Sequence, residues 1–544
     1  MPGWPHAALL ATLALASGCD LGPDGRLGSQ EVGSAKAGLA LVGALLLATR
    51  VLLERRGGLS RRRSRALDAG LLLLGTLAAA AWWNFFQFNY PTFGHPSETY
   101  HYYVGSKYFR ELGYTRLYAC TAVADSEAGR QDVHTRKFRD LDSNRIVPAS
   151  TAIANPTACK EHFSREQWQR FSADVAWFRE RLPARRWHQS QVDHGYNATP
   201  AWGFFGWLLA HSGPASDAQI LALRLLDPLL LVLAWSFVGY SFGWRTLCVG
   251  LLFWGTNYPA QYGWVGGSYL RQLEVVALLV ALCLMKRERP VAAGFLLSLA
   301  ALVRVYPALL LAGPALAVLG QSLAARRMVL GQAERGLVLG GLLGAAVLLP
   351  LSAVGTGSPS SWVDFARNSQ VLLDTPLRND IGLRTLLAYS PEVSARELAD
   401  PSLLDPYQPW KRARAQTFAA RRPFFGLALL GYLVLLALAV QRQPAWVAVV
   451  LAAGLVPMAT ELTCYYAVVL VAFALLWERV PWVGVALCGL SALGWAIVER
   501  FHFFDEIFTW LSLACVVFVV FATLAVWRAT PPAQTAPGPQ AAGA

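Results

Sequence analysis

Charged residues are scarce in this chain, because Asp, Glu, Lys and Arg make up only 15% of its 544 residues. Soluble domains carry about 25%, and the hydrophobic content of 55% excludes an ordinary soluble globular protein. The alternation of polar and apolar residues that marks a membrane β-barrel is also missing. Instead, several apolar runs approach the ~20 residues that a helix needs to cross a membrane. The sequence therefore predicts an all-α polytopic membrane protein.

Sequence signals for metals and nucleotides are lacking as well. The eight cysteines form no CxxC pair and no His/Cys spacing typical of zinc. No glycine-rich loop that would cradle a nucleotide phosphate is present. We therefore expect no cofactor, and nothing in the sequence supports a divalent metal. The net charge of +13 does not indicate nucleic-acid binding, because Arg and Lys retained in cytoplasmic loops make membrane proteins basic.

The positions of the basic residues predict a topology. The cluster from Arg55 to Arg65 should stay in the cytoplasm, and each later inside turn carries at least one Lys or Arg. About thirteen segments would then cross the plasma (inner) membrane, with both large loops extracytoplasmic and the C-terminus cytoplasmic. The predicted segments are 1–36 (signal, lipoprotein-like or anchor segment with a short outer stretch), 37–86 (two transmembrane helices with a basic loop), 87–219 (first extracytoplasmic loop, with amphipathic helices), 220–354 (transmembrane helices), 355–422 (second extracytoplasmic loop), 423–528 (transmembrane helices) and 529–544 (disordered tail).

The N-terminus and the cysteines fit an envelope protein. Ala16-Ser17-Gly18-Cys19 looks like a lipoprotein cleavage site, although an uncleaved signal anchor fits the same stretch and the lipidation of Cys19 stays open. Cys120 and Cys159 fall in the first outer loop, where a disulfide is permitted, and we expect them to pair.

The densest group of candidate site residues follows the second predicted helix and comprises His95, Glu98, His101, Tyr102 and Lys107. A carboxylate at the edge of a bundle, beside His and Tyr, can accept a proton from a hydroxyl, and partial burial would raise its pKa toward useful values. Glu98 is the candidate base, and the alternative is that it caps or solvates the following helix. The histidines suit structural or substrate contacts better than metal ligation.

A second acidic cluster contains Asp193 and His194. Asp193 is a rival base, and the alternative is an ordinary turn. The apolar stretch Pro200 to His211 follows, too short to span, so it should re-enter or lie flat against protein. Residues Ser164 to Leu182 show helical apolar spacing and predict an amphipathic helix on the membrane surface or on the bundle.

Two arginines fall at membrane depth. A charge in hydrocarbon costs at least ~2.5–3.5 kcal/mol, so Arg304 and Arg271 should face a cavity and have partners. Pro307 begins a new helix whose positive dipole end points toward Arg304, and a phosphate would be well placed there, beside Tyr306. The alternatives are a structural ion pair for Arg304 and a pair of Arg271 with Glu274, three residues on.

Other polar residues in the predicted outer regions are candidates for binding sugar hydroxyls, although they fit solvated loops equally well. They are Asn368, Asn379, Glu461 and Tyr465.

These features resemble the GT-C superfamily of membrane glycosyltransferases, which use polyprenyl-phosphate sugars as donors. Leu299 to Pro307 is similar to a GLAxxx(K/R)xxP segment of the mannosyltransferase-like branch. Ser361-Trp362, Asn368, Asn379 to Leu383 and Glu461 to Tyr466 also resemble motifs of that branch. Many relatives carry Asp where this chain has Glu98, and the helix at Ala37 to Leu53 lies outside the family pattern.

The resemblance implies transfer of a sugar from a polyprenyl phosphate to an acceptor hydroxyl on the extracytoplasmic face, with inversion. Glu98 would be the base, and Arg304, with Arg271, would hold the donor phosphate. The identity of the sugar and of the glycan, lipid or protein acceptor is not indicated. A multi-pass transporter or lipid flippase is the alternative, since broken helices near Arg304 fit that class, and a non-catalytic envelope assembly protein is another.

Overall fold

The computed structural model describes residues 29–88, 90 and 92–529, so the predicted lipoprotein-like segment up to residue 28 and the tail from residue 530 lie outside it. Within these ranges, eight helices are long and apolar enough to cross a membrane. This confirms an all-α, multi-pass membrane protein, while the number of thirteen crossings stays a prediction. The eight helices are Ser29–Arg55, Arg61–Trp82, Asp217–Phe242, Tyr306–Ala325, Gln332–Thr356, Gln408–Val440, Pro481–Arg500 and Phe504–Ala529.

The remaining predicted crossings are short. They are Trp244–Thr256, Leu273–Lys286, Pro290–Val303, Ala445–Ala459 and Cys464–Leu476. The last of these is a 3₁₀ helix of 13 residues. Since a 3₁₀ helix rises about 2.0 Å per residue, this segment reaches about 26 Å, close to the hydrocarbon thickness of about 30 Å.

The first large loop folds into a helical unit rather than a disordered connection. Cys120 and Cys159 form a disulfide within it. Its elements are Pro96–Lys107, Phe109–Leu112, Leu117–Glu127, Gln131–His134 (3₁₀), strands Lys137–Asp140 and Arg145–Pro148, and helices Ser150–Ile153, Thr157–Lys160, Arg165–Glu180, Ala184–Ser190 and Pro200–Ala210. The two strands form an antiparallel ladder that pairs Phe138 with Val147.

The predicted amphipathic segment forms the helix Arg165–Glu180, which begins with a capping box between Ser164 and Gln167. Its apolar side chains Phe171 and Phe178 are fully buried in the core of the loop unit. The helix therefore packs on the helices of its own loop, against Pro96–Lys107 and Leu117–Glu127.

The second large loop contains the first turns of a long helix. The helix Gln408–Val440 begins within the predicted loop 355–422 and carries an internal proline, Pro423. Other elements are Ser361–Leu373, Leu383–Ala388, Pro391–Val393 (3₁₀), Ala395–Leu398, and the strand Asp380–Ile381, which pairs with Leu462–Thr463. The Lys137 ammonium of the first loop donates to the Leu404 carbonyl of the second at 2.6 Å, so both loops meet at one end of the bundle.

Candidate functional site

The two large loops enclose a cavity of about 490 Å³ at the end of the bundle. This volume lies within the ~300–1,000 Å³ of small-molecule sites. Its walls come from both loops and from the turns before Leu273 and around Thr463. The sequence-predicted residues on these walls are Glu98, His101, Tyr102, Asp193, His194, Arg271, Asn379 and Tyr465.

Glu98 faces the cavity from the first turn of the helix Pro96–Lys107. This helix begins with Pro96 at its first position and is capped by His95, whose Nδ1 accepts from the Glu98 backbone N–H at 3.2 Å. The His95 backbone N–H donates to the Gly267 carbonyl at 2.7 Å and so ties the helix start to the turn that carries Arg271. His95 therefore positions Glu98 and does not line the cavity.

Tyr102 joins the two predicted phosphate-binding arginines. Arg271 Nη1 and Arg304 Nη2 each donate to the Tyr102 hydroxyl at 3.1 Å, and this hydroxyl donates to Asn197 Oδ1 at 3.2 Å. The Arg271 Nε lies 3.6 Å from Glu98 Oε2. Arg271 and Arg304 are both only 5% exposed, but Arg271 lines the cavity whereas Arg304 lies behind Tyr102. A ligand in the cavity would therefore contact Arg271, whereas the Tyr102 ring would separate it from Arg304.

Buried hydrogen bonds fix the backbone that carries these arginines. Asp227 accepts from the backbone N–H groups of Arg271 at 2.9 Å and of Gln272 at 3.3 Å. The helix Pro200–Ala210 contributes two more contacts. At its start, Thr199 Oγ1 donates to the Val303 carbonyl at 3.1 Å, and Trp202 Nε1 donates to the Leu270 carbonyl at 3.0 Å. The short apolar stretch therefore lies against protein, as predicted, and holds both arginine-bearing turns.

Several buried polar atoms around Tyr102 have no hydrogen-bond partner among the described residues. They are Glu98 Oε2, Arg271 Nε, Glu274 Oε2, Arg304 Nε and Tyr306 Oη. Buried polar groups are nearly always bonded, so such a concentration requires an explanation. The charges partly compensate one another, because Glu274 interacts electrostatically with both arginines. No ion pair within 4.0 Å joins Glu274 to Arg271 in the described part of the chain, in contrast to the sequence-based alternative.

The charge state of Glu98 is set by opposing effects. Burial acts to raise its pKa, but the nearby Arg271, His95, His101 and Arg304 outweigh burial, and the pKa of Glu98 lies below its usual value. The expectation that burial would raise this pKa is therefore wrong, because the sequence does not reveal how many cations surround the carboxylate. Glu98 is ionised near neutral pH, the form that can accept a proton.

His101, Glu98 and Asp193 form a compact polar group whose potential ligand atoms lie within 4.8 Å of one another. His101 Nε2 lies 2.9 Å from the Ser190 carbonyl and donates to it, which leaves Nδ1 as the second ring nitrogen. Such a carbonyl contact is common for metal-bound histidines. Arg271 beside Glu98 opposes a cation at this point, however, so the group fits a divalent metal only weakly. The absence of a cofactor stays a prediction.

His194 lies next to Asp193 on the cavity wall, and its Nδ1 donates to Asn144 Oδ1 at 3.0 Å. Burial and the nearby Arg139 lower the pKa of His194. The His194 imidazole is therefore neutral near neutral pH, and both His194 and Asp193 line the cavity.

Other sequence-predicted residues lie away from the cavity. Lys107 forms a buried ion pair with Asp174 at 2.8 Å inside the loop unit. Glu461 pairs with Arg384 at 3.0 Å and also with Arg414, so it joins helices. Asn368 lies on the helix Ser361–Leu373 and does not line the cavity. Tyr306 is buried behind the cavity wall, where its ring packs against that of Tyr466.

The sequence reasoning missed several residues that the structure brings to the cavity. These are Lys137, Arg139, Trp264, Asp405, Tyr407, Trp410 and Lys411. Single charges in a polar loop do not stand out from their neighbours, so no local signal marks them. Asp227 could have been found, because an acid within an apolar helix is the same signal that singled out Arg304.

Comparison with family models, curated proteins and solved structures gave no match to this chain. The resemblance to the GT-C superfamily therefore stays an expectation drawn from the sequence.

Proposed function

We propose that this protein is a GT-C-type membrane glycosyltransferase that moves a sugar from a polyprenyl phosphate to an acceptor hydroxyl on the extracytoplasmic face. The observation that carries the proposal is the shared cavity of Glu98 and Arg271, with Arg304 directly behind it. A base and a phosphate-binding cation at one site are what group transfer from a phosphate requires.

The roles of the residues follow from their positions. Arg271 binds the donor phosphate, and Arg304 supports it through Tyr102 and through its charge. This order reverses the sequence-based expectation, in which Arg304 was the principal ligand. Among the unbonded polar atoms around Tyr102, Arg271 Nε belongs to a side chain that lines the cavity, and it is a donor that a phosphate oxygen would satisfy. The isoprenoid tail would lie between the helices in lipid.

The reaction conserves atoms and charge with these groups. The acceptor oxygen attacks the anomeric carbon from the face opposite the phosphate, and its proton passes to Glu98. The bond between the anomeric carbon and the phosphate oxygen breaks, and its electron pair leaves with the polyprenyl phosphate. Arg271 and Arg304 stabilise the charge that develops on that oxygen. The product glycoside has the inverted anomeric configuration.

A transfer assay tests this proposal. The purified protein in lipid nanodiscs would be given a panel of radiolabelled polyprenyl-phosphate sugars together with envelope glycolipids and glycans as acceptors. We expect transfer by the wild-type protein and a loss of at least ~100-fold in Glu98→Gln, because a positioned base contributes ~10²–10⁴-fold. Glu166→Gln, an exposed carboxylate on the same loop, is the matched control. Wild-type rates in Glu98→Gln would contradict the mechanism, and movement of unmodified donor lipid across the membrane would favour the flippase.

A further inference from the structure

The cavity has a second wall that the transfer chemistry does not use. Arg139 contributes from the strand Lys137–Asp140, and Arg378, Asp405, Tyr407 and Lys411 contribute from the second loop and the helix that follows it. Glu98, Arg271 and Tyr102 form the other wall. The same hollow therefore joins the proposed donor site to a separate group of charged and aromatic side chains.

Positive charge on this second wall is only partly compensated. Asp405 pairs with Lys411 at 2.7 Å. Arg139 donates instead to the backbone carbonyls of Val192 at 3.0 Å and of Asn144 at 2.8 Å. Arg378 donates to the Tyr407 hydroxyl at 2.6 Å. Across residues 92–529, no carboxylate oxygen lies within 4.0 Å of a guanidinium nitrogen of Arg139 or Arg378.

The positive charges of this wall lie close together, and Asp193 and Asp405 offset the charge of Arg139 only in part. Arg139 and Arg378 both repel the Lys411 ammonium, and Asp405 is the acid that attracts it. Like charges at a sheltered wall are unfavourable by themselves, and a bound anion relieves the repulsion while gaining charge-assisted hydrogen bonds. These charges therefore favour the binding of a negatively charged group at the second wall.

Aromatic rings beside these charges indicate what carries the anion. The Arg378 guanidinium lies 3.9 Å from the centre of the Tyr407 ring and 5.7 Å from the centre of the Phe504 ring. Both rings line the cavity, and Phe504 is 39% exposed. Flat rings offer a surface for the apolar face of a sugar, while their polar atoms bond to hydroxyls. A small inorganic anion would leave this aromatic surface uncovered.

We infer that the second wall binds an anionic saccharide, a sugar that bears a phosphate or a carboxylate, as the acceptor of the transfer. Only its role as acceptor rests on the proposed function, because the binding itself requires no turnover. An acceptor held there would present a hydroxyl across the cavity toward Glu98.

Equilibrium binding to the full-length protein in nanodiscs tests the inference. The probes are glucose, glucuronic acid and glucose 6-phosphate, which share a ring and differ in charge. We expect either anionic probe to bind at least about tenfold more tightly than glucose, with the advantage shrinking at high salt. The preferred anion then identifies a uronic acid or a sugar phosphate as the ligand.

Variants locate the binding on the correct wall. We expect Arg378→Gln to remove the preference for anions and Arg378→Lys to retain it. Arg412→Gln removes an exposed charge of the same helix as Lys411, outside the cavity, and should leave binding unchanged. Equal binding of all three sugars would overturn the inference, as would an anion preference abolished by Arg271→Gln but not by Arg378→Gln. Neither result would affect the transfer assay with Glu98→Gln.

Discussion

Two clusters of arginines and acids in this protein look alike in sequence and differ in structure. In the first, Asp68 accepts from Arg245 Nε at 2.9 Å and Nη2 at 2.8 Å, and from Arg50 Nη1 at 2.6 Å. In the second, Arg271 and Arg304 share the Tyr102 hydroxyl, and the nearest carboxylate oxygen, on Glu98, is 3.6 Å from Arg271.

The difference lies in how completely the hydrogen-bonding groups are used. Asp68 holds three helices together with both of its oxygens bonded, as expected of a structural ion-pair network. The cluster around Tyr102 leaves five buried polar atoms without a hydrogen-bond partner among the described residues. A cluster of arginines and acids alone therefore does not mark a site, whereas incomplete hydrogen bonding next to a cavity does.

The largest expected contrast is in donor use. Arg271→Gln should lower kcat/KM for a polyprenyl-phosphate sugar by about 100-fold, because it removes charge-assisted bonds to the phosphate worth roughly 1.5–3 kcal/mol each. Arg50→Gln, in the structural cluster, should leave kcat/KM of the folded protein within about twofold. Steady-state kinetics of both variants in nanodiscs provide the comparison. Equal losses would show that the two clusters do not differ in function.

Stability should show the opposite contrast. Asp68→Asn removes the charge that two arginines share and should destabilise the protein by roughly 1–3 kcal/mol. Arg271→Gln should change stability less, since the Arg271 side chain makes one hydrogen bond, to Tyr102, and one longer ion pair, to Glu98, in the free protein. Thermal unfolding in detergent would measure Tm for both variants. A larger fall in Tm for Arg271→Gln than for Asp68→Asn would contradict this assignment.

The pH dependence of transfer separates the two clusters further. Because cations hold the pKa of Glu98 below its usual value, activity should persist as pH falls and be lost only when Glu98 becomes protonated, below its ordinary pKa of about 4.3. Arg271→Gln removes the strongest of these cations, so the acidic limb of the pH–rate profile should move to higher pH. The limb should not move in Arg50→Gln, and a limb that stays fixed in Arg271→Gln would show that Glu98 is not the titrating group.

The smallest expected effect concerns Asp227, a positioning residue. Asp227→Asn retains one acceptor oxygen for the Arg271 backbone and should raise KM for the donor about fivefold, the equivalent of one hydrogen bond of ~1 kcal/mol. It should also move the acidic limb slightly upward, since Arg271 would be less firmly held beside Glu98. A lower Tm with an unchanged KM and pH profile would reduce Asp227 to a purely structural role.

The sequence predicts much of this architecture, because the chemistry of lipid restricts it. Apolar length and basic turns identify the long helices, and the cost of charge at membrane depth singles out Arg271 and Arg304. Glu98 stands out because it follows an early helix among aromatic residues. The start of the helix at Gln408 is not predicted, since Lys411, Arg412 and Arg414 make its first turns look like loop.

The partners of the site residues could not be predicted, because they depend on long-range contacts. Glu461 and Lys107 are charged residues of the types that form binding sites. In the fold, however, they form ion pairs with Arg414 and Asp174, away from the cavity. Arg139 has no distinguishing neighbour in sequence and reaches the cavity only through the fold of the first loop. Sequence patterns identify which charges lie at membrane depth, and tertiary contacts decide which remain available to a ligand.

Binding of the donor phosphate tests the central claim most directly. Polyprenyl phosphate and uncharged polyprenol, of equal chain length, would be compared by native mass spectrometry on the wild-type protein, on Arg271→Gln and on Arg50→Gln. The account predicts at least tenfold tighter binding of the phosphate to wild type and to Arg50→Gln, with the preference lost in Arg271→Gln. Equal binding of the two lipids to the wild-type protein would contradict it.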